Sequence, residues 1–175
     1  MTRRMRVMIK LKLLSLLGKN HNKADVLRRS GLFKKFGERG YWHPDWIPSL
    51  PKYISLGDNV TVAADVRFYE HDIIHRMWNE DPLYLGDIVR QYEGEISVGD
   101  NTVLGARSII LAGVHIGHNV VVGCGSVVTR DLPDYSVAVG CPAKVVGDTR
   151  MLFLKRVNSG DDSGGLTYED YFEKV

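Results

Sequence analysis

The sequence predicts an all-β-dominated solenoid of short parallel strands, with a helical segment ahead of it, an extruded loop within it and a short tail behind it. Three observations predict this. Aliphatic residues recur every six positions, glycine and Asn/Asp recur at set places between them, and one long interruption is rich in histidine and aromatics.

Counting in sixes from Val98 lands on Leu104, Ile110, Ile116, Val122 and Val128. The units read VGDNTV, LGARSI, ILAGVH, IGHNVV, VGCGSV and VTRDLP, and a weaker pair, LGDNVT and VAADVR, starts at Leu56 and Val62. Fifth positions are Thr102, Ser108, Val114, Val120 and Ser126, small or β-branched, before Leu132 ends the run. A helix repeats near 3.6 residues and a half-buried strand near 2, so a strict six fits neither. It fits short strands joined by tight turns, with the aliphatic pointing into a narrow solenoid. Glycine and Asn/Asp supply the turn conformations. No unit can bury its own apolar face, so stacking makes the core.

Residues 1–50 form a separate basic segment, helical or irregular. Residues 1–40 carry twelve Lys/Arg against Asp25 and Glu38, while the whole chain of 175 residues is only +2. Met5, Met8, Ile9, Leu13, Leu16 and Leu17 beside those cations suit peripheral contact of residues 1–20 with an anionic membrane surface. The alternative is a helix packed on the main domain with a solvated basic face, which Lys12 favours by interrupting the stripe. No apolar run approaches the ~20 residues of a membrane span. Lys10 and Lys12 also break any signal-peptide pattern. Nucleic acid is not expected, because no recognised motif accompanies the charge. Two cysteines, Cys124 and Cys141, suit a reducing, cytoplasmic setting rather than a disulfide scaffold.

The solenoid spans 51–147, interrupted by a loop at about 69–97 that holds Tyr69, His71, Asp72, His75, Arg76, Trp78, Tyr84 and Tyr92. Loops of that size in a compact repeat are functional or disordered, and this composition argues against disorder. Behind it, 148–175 reads as a short helix at 151–157, a flexible NSGDDSGG linker at 158–165 and a terminal stretch.

The in-phase units, the segment GCGSVVTRDLPDYSVAVGCPAKVVG at 123–147 and the upstream histidine loop resemble the hexapeptide-repeat O-acetyltransferases, of the maltose/galactoside and capsular-polysaccharide type. The resemblance covers about residues 50–147. It implies a left-handed β-helix of three-sided coils, a homotrimer with active sites between subunits, acetyl-CoA as acyl donor and no metal. It implies transfer to a saccharide hydroxyl in surface-polysaccharide synthesis, in the cytoplasm or at the inner face of the membrane.

Transfer from a thioester to a hydroxyl needs a base, oxyanion donors and a grip on the coenzyme. Neutral imidazole suits the first task. His71 follows the second repeat directly and stands where the family's catalytic histidine stands; His75 is the rival. Asp72 either orients the imidazole, binds the acceptor or is a plain surface carboxylate. Trp78 and Tyr84 are candidates to stack on a sugar ring, whereas Trp42 and Trp46, near two prolines, read as packing. By resemblance Ala106 and Cys124 hydrogen-bond the pantetheine arm through their backbones, and Gly105 and Gly125 admit its approach. Thr129 and Arg130 reach the nucleotide end, and Lys144 meets a phosphate or is simply solvated. Cys124 as a small residue in a tight coil is preferred over Cys124 as nucleophile. The asparagine with which sugar acetyltransferases hold the acceptor has no match in YWHPDWIPSLPKYIS.

Three rivals stand beside this reading. One is an antibiotic acetyltransferase, one a non-catalytic trimeric scaffold. The third is a γ-carbonic-anhydrase-like metal enzyme, invited by His71, His75, His115 and His118.

Overall fold

The structure is a computed structural model that describes residues 1–84 and 88–158. At its centre, short strands stack on three sheets. The first sheet orders β1 (Lys35–Phe36), β3 (Ile54–Leu56), β6 (Ile96–Val98) and β9 (His115–Ile116). The second orders β2 (Tyr41–Trp42), β4 (Thr61–Val62), β7 (Val103–Leu104), β10 (Val121–Val122), β12 (Ser136–Gly140) and β13 (Ala143–Asp148). The third holds β5 (Arg67–Tyr69), β8 (Ile109–Leu111) and β11 (Val127–Val128). From β3 to β11 the chain visits the sheets in rotation, and all strand pairings but β12 with β13 are parallel.

Register gives the coil its length. Leu104 pairs with Val122 and Ile110 with Val128, each the same position three repeat units on, so one coil is three six-residue units. Ile54 pairs with Ile96 across the inserted loop, so that coil carries the whole insertion besides its three sides. Phe36 pairs with Leu56 and Trp42 with Val62, a coil slightly longer than three units. The stack therefore begins at β1, inside the segment read from sequence as separate.

Both the first and fifth positions of the repeat point inward: Val98, Leu104, Ile110, Ile116, Val122 and Val128 are buried, as are Thr102, Ser108, Val114, Val120, Ser126 and Leu132. Each large aliphatic removed from water contributes about 1.5–3 kcal/mol. Small residues recur at the fifth position because it lies where one sheet bends into the next.

At the corner between the first and second sheets, one side chain per coil reaches the next backbone. Asp58 accepts from Glu38 N (2.9 Å), Asp100 from Asp58 N (2.8 Å), His118 Nδ1 from Asp100 N (3.0 Å), and Asp134 from His118 N (2.7 Å). The following residues, Asn59, Asn101, Asn119 and Tyr135, all take positive φ. This ladder is why Gly-Asp-Asn recurs.

Helices hold about as many residues as strands among the described residues, which corrects the all-β-dominated expectation. The strands are mostly two or three residues long, whereas α1 (Arg3–Leu16), α2 (Lys23–Ser30), α3 (His75–Glu80) and α4 (Thr149–Asn158) run to 14, 8, 6 and 10. Thr2 Oγ1 caps α1 by accepting from Met5 N at 3.3 Å. Gly31, at φ +58, ends α2 in the left-handed conformation glycine adopts without strain. Val7 and Leu11 of α1 join Ala24 and Leu27 of α2, Phe33 and Trp42 in one core with the coils. These helices cover a stack end whose apolar interior would otherwise meet water. Lys23, fully buried, ties α2 down by donating to His43 O (2.7 Å) and Asp45 Oδ1 (2.5 Å).

The opposite end closes by reversal: β13 folds back antiparallel on β12. Thr149 then docks α4, its N donating to Tyr135 O (2.8 Å) and its Oγ1 to Asn119 O (2.9 Å). Most of the linker expected at 158–165, and the terminal stretch, lie outside the described residues.

Candidate active site

The described residues of the insertion form the two limbs of an arm. Where it leaves β5, Gly94 N donates to Glu70 O (2.9 Å), His71 bridges Glu93 in antiparallel fashion, and Asp72 N donates to Tyr92 O (3.2 Å). Gln91 Nε2 donates to Asp72 O (2.9 Å). Farther out, the Asn79 side chain clamps Val89, accepting from its N (3.0 Å) and donating to its O (2.9 Å). His71 thus sits at the neck of the arm.

That neck is tied into the coils. The Glu70 side chain is 1% exposed and accepts from Leu50 N. Tyr53 Oη donates to the Glu93 carboxylate, which holds the phenol above its ordinary value of 10.0. Gly94 lies where a Cβ would come within 2.5 Å of Gly113 N and 2.9 Å of Ala112 C. Only glycine lets the returning limb rejoin the stack there.

His71 is half-buried, and its Nδ1 is buried with no hydrogen-bond partner; His75 Nδ1, at the start of α3, is in the same state. Asp72 does not orient the imidazole. Its Oδ1 accepts from Ile74 N (3.2 Å) instead, a local turn that short carboxylates favour. Trp78 is half-buried on α3, and Tyr84 is half-exposed near the arm's tip. Trp42 and Trp46 are packing residues: Trp42 is fully buried and stacked on Phe68 (6.0 Å, 10°), and Trp46 lies beneath the Arg67 guanidinium (4.5 Å).

The residues assigned to the coenzyme divide between the two edges of the third sheet. Thr129 and Arg130 follow β11 as His71 follows β5, on the same edge, two strand spacings or roughly 10 Å along. Both are exposed. Gly105, Ala106, Cys124 and Gly125 lie on the opposite edge, in the turns that enter β8 and β11. There Gly125 N donates to Ala106 O (2.8 Å), and Cys124 is exposed. Lys144 lies apart, exposed on β13 opposite Val139. A single chain therefore does not gather Ala106 and Cys124 around His71.

The two glycines have structural causes. A Cβ at Gly105 would stand 2.6 Å from Val122 O and 2.7 Å from Cys124 N, so coil stacking excludes it. Gly125 has open space but φ +71, in the corner slot that Asp65 (φ 57) and Arg107 (φ 60) fill in earlier coils. The remaining solenoid histidines are engaged in the coils: His115 Nδ1 with Ser97 Oγ (2.7 Å), and His118 in the corner ladder. Among the described residues no group of three His, Cys, Asp or Glu converges as a metal site would.

Sequence reasoning passed over the returning limb. Glu93 and Gly94 secure His71, and the signal was a glycine two residues before Ile96 re-enters the apolar phase.

Residues 95–130 match the family described as "Hexapeptide repeat of succinyl-transferase". A galactoside O-acetyltransferase of Lactococcus lactis is 49% identical over 93 residues, which is 53% of this chain and 39% of the relative. A solved maltose O-acetyltransferase from Clostridium difficile 630 superposes with a TM-score of 0.51 at 26% identity, over 82% of this chain and 87% of that one. A galactoside acetyltransferase solved in complex with coenzyme A gives a TM-score of 0.60 at 21% identity, over 94% and 88%, and shares the fold. The chain spans less than half the length of the curated relatives it matches.

Proposed function

From its likeness to the hexapeptide-repeat acetyltransferases, we propose that this chain is one of them and moves acetyl from acetyl-CoA to a saccharide hydroxyl, with His71 as general base. The observation that carries the reading is the position of His71. It is pinned in the neck of a folded arm, on the sheet edge it shares with Thr129 and Arg130.

Nδ1 of His71 is closed in, so Nε2 is the nitrogen that exchanges protons with the acceptor. It takes the hydroxyl proton as that oxygen attacks the thioester carbonyl. Backbone N–H groups stabilise the tetrahedral oxyanion. Collapse expels the coenzyme thiolate, which recovers the proton from the imidazolium. No acyl-enzyme is required. Ala106 and Cys124 hold the pantetheine arm through their backbones, while Thr129, Arg130 and Lys144 meet the nucleotide and phosphate end. Asp72, Trp78 and Tyr84 face the acceptor from the arm.

The split of these residues across two edges supports a homotrimer in which one subunit's His71 edge meets another's Ala106 edge. The relatives support left-handed coils. A lipid-linked or free saccharide of surface-polysaccharide synthesis is the proposed acceptor, and an antibiotic hydroxyl is the alternative on the same arm. Titrating the chain with acetyl-CoA by calorimetry, then following thiol release with a panel of saccharides, tests the reading. Micromolar binding with acceptor-dependent release supports it; absence of both leaves a non-catalytic scaffold. A monomeric mass by light scattering contradicts the trimer.

A further inference from the structure

Helix α1 is apolar on two opposite faces. Val7 and Leu11 face the core, 8% and 0% exposed. At 100° per residue the opposite pole is Met5, Ile9, Leu13 and Leu16, exposed by 50%, 52%, 52% and 85%. An ordinary surface helix carries polar residues there. Cations line both sides of the outer stripe, with Lys12 on one flank and Arg6 and Lys10 on the other. On the Arg6 side a groove of about 700 Å³ opens between α1 and α2, and Arg3, Arg6, Lys10 and Arg29 outnumber Asp25 along it.

We propose that the outer face of α1 lies on an anionic lipid bilayer, with the Met5–Ile9–Leu13–Leu16 stripe in the hydrocarbon boundary and the cationic groove against headgroup phosphates. Charge complementarity selects this occupant: Arg6, Lys10 and Lys12 flank the stripe, and Arg3 and Arg29 join Arg6 and Lys10 in the groove against Asp25 alone. An apolar stripe between cations, on a helix of only 14 residues, matches interfacial binding rather than spanning. Among the described residues no helix is long and apolar enough to cross a membrane. Lys12, which breaks the stripe in sequence, falls at its flank in space and so belongs to the headgroup layer.

The test is co-sedimentation of the full chain with vesicles of phosphatidylglycerol and phosphatidylcholine, beside vesicles of phosphatidylcholine alone. The double variant Ile9→Ser/Leu13→Ser removes outer apolar groups without touching the core, and a circular-dichroism melt checks that it folds. The wild type should pellet with the anionic vesicles, less so at high salt, and remain in solution with the neutral ones. The double variant should lose affinity by about tenfold or more. A wild type that stays in solution with anionic vesicles overturns the proposal. So does a folded double variant that binds them equally well, or one whose only change is a lower mass by light scattering, which would assign the stripe to a second copy.

Discussion

His71 and Glu93 face each other across an antiparallel bridge that closes the base of the inserted arm, so the histidine is positioned by backbone pairing at a fixed neck. The bridge depends on Gly94 next door, where a Cβ would stand 2.5 Å from Gly113 N. Gly94→Ala should therefore displace the returning limb. We expect turnover to fall sharply while acetyl-CoA affinity is retained, because the residues proposed to hold the coenzyme lie outside the arm. Steady-state kinetics beside calorimetry checks this.

The glycines in the turns that enter β8 and β11 should differ under substitution. Gly105→Ala forces a Cβ into the next coil's backbone and should cost about 1–3 kcal/mol. Gly125→Asn places a side chain in open space, in a corner slot already filled by Asp65 and Arg107, and should cost under about 1 kcal/mol. Urea denaturation of both variants gives the comparison.

Two buried serines should also part. Ser108 Oγ is buried without a hydrogen-bond partner, while Ser126 Oγ accepts from Gly140 N at 3.1 Å. Ser108→Ala should be neutral or stabilising. Ser126→Ala, which strands an N–H, should cost about 1 kcal/mol by the same denaturation measurement.

Asp45 predicts an acid dependence. Burial pushes its carboxyl up, but hydrogen bonds from Lys23 and Ser15 outweigh burial and leave it below 3.8. A depressed carboxyl contributes stability above its unfolded value, lost as pH falls through the folded one. Asp45→Asn should cost about 1–3 kcal/mol at neutral pH, less than a fully buried pair would because Asp45 is half-exposed. The gap to wild type should close as pH drops below 3.8, read from melting temperatures across that range.

Much of this fold was legible because six-residue spacing is a direct consequence of three-sided coils: every in-phase position from Val98 to Val128 is buried. The first coil was not legible. It runs slightly longer than three units, and Trp42 with Phe36 takes the place of the aliphatic–glycine pattern. The corner ladder of Asp58, Asp100, His118 and Asp134 was hidden because its partners lie a full coil away. Only one stripe along α1 and its C-cap, Met5, Met8, Ile9, Leu13, Leu16 and Leu17, was legible; the opposite face, Val7 and Leu11, shows itself only in the packing. At the site, His71 was visible in the sequence beside the second repeat. Its bridge to Glu93 joins the two ends of the arm and needed the return path.

The most direct test is acetyl-CoA-dependent thiol release with saccharide acceptors, on wild type, His71→Ala and His75→Ala, with coenzyme binding measured on each. Loss of about 10²–10⁴-fold in turnover for His71→Ala alone, with coenzyme affinity intact, is the predicted result. Near-normal turnover in His71→Ala would contradict the assignment, and a matching loss in His75→Ala would move the base to α3.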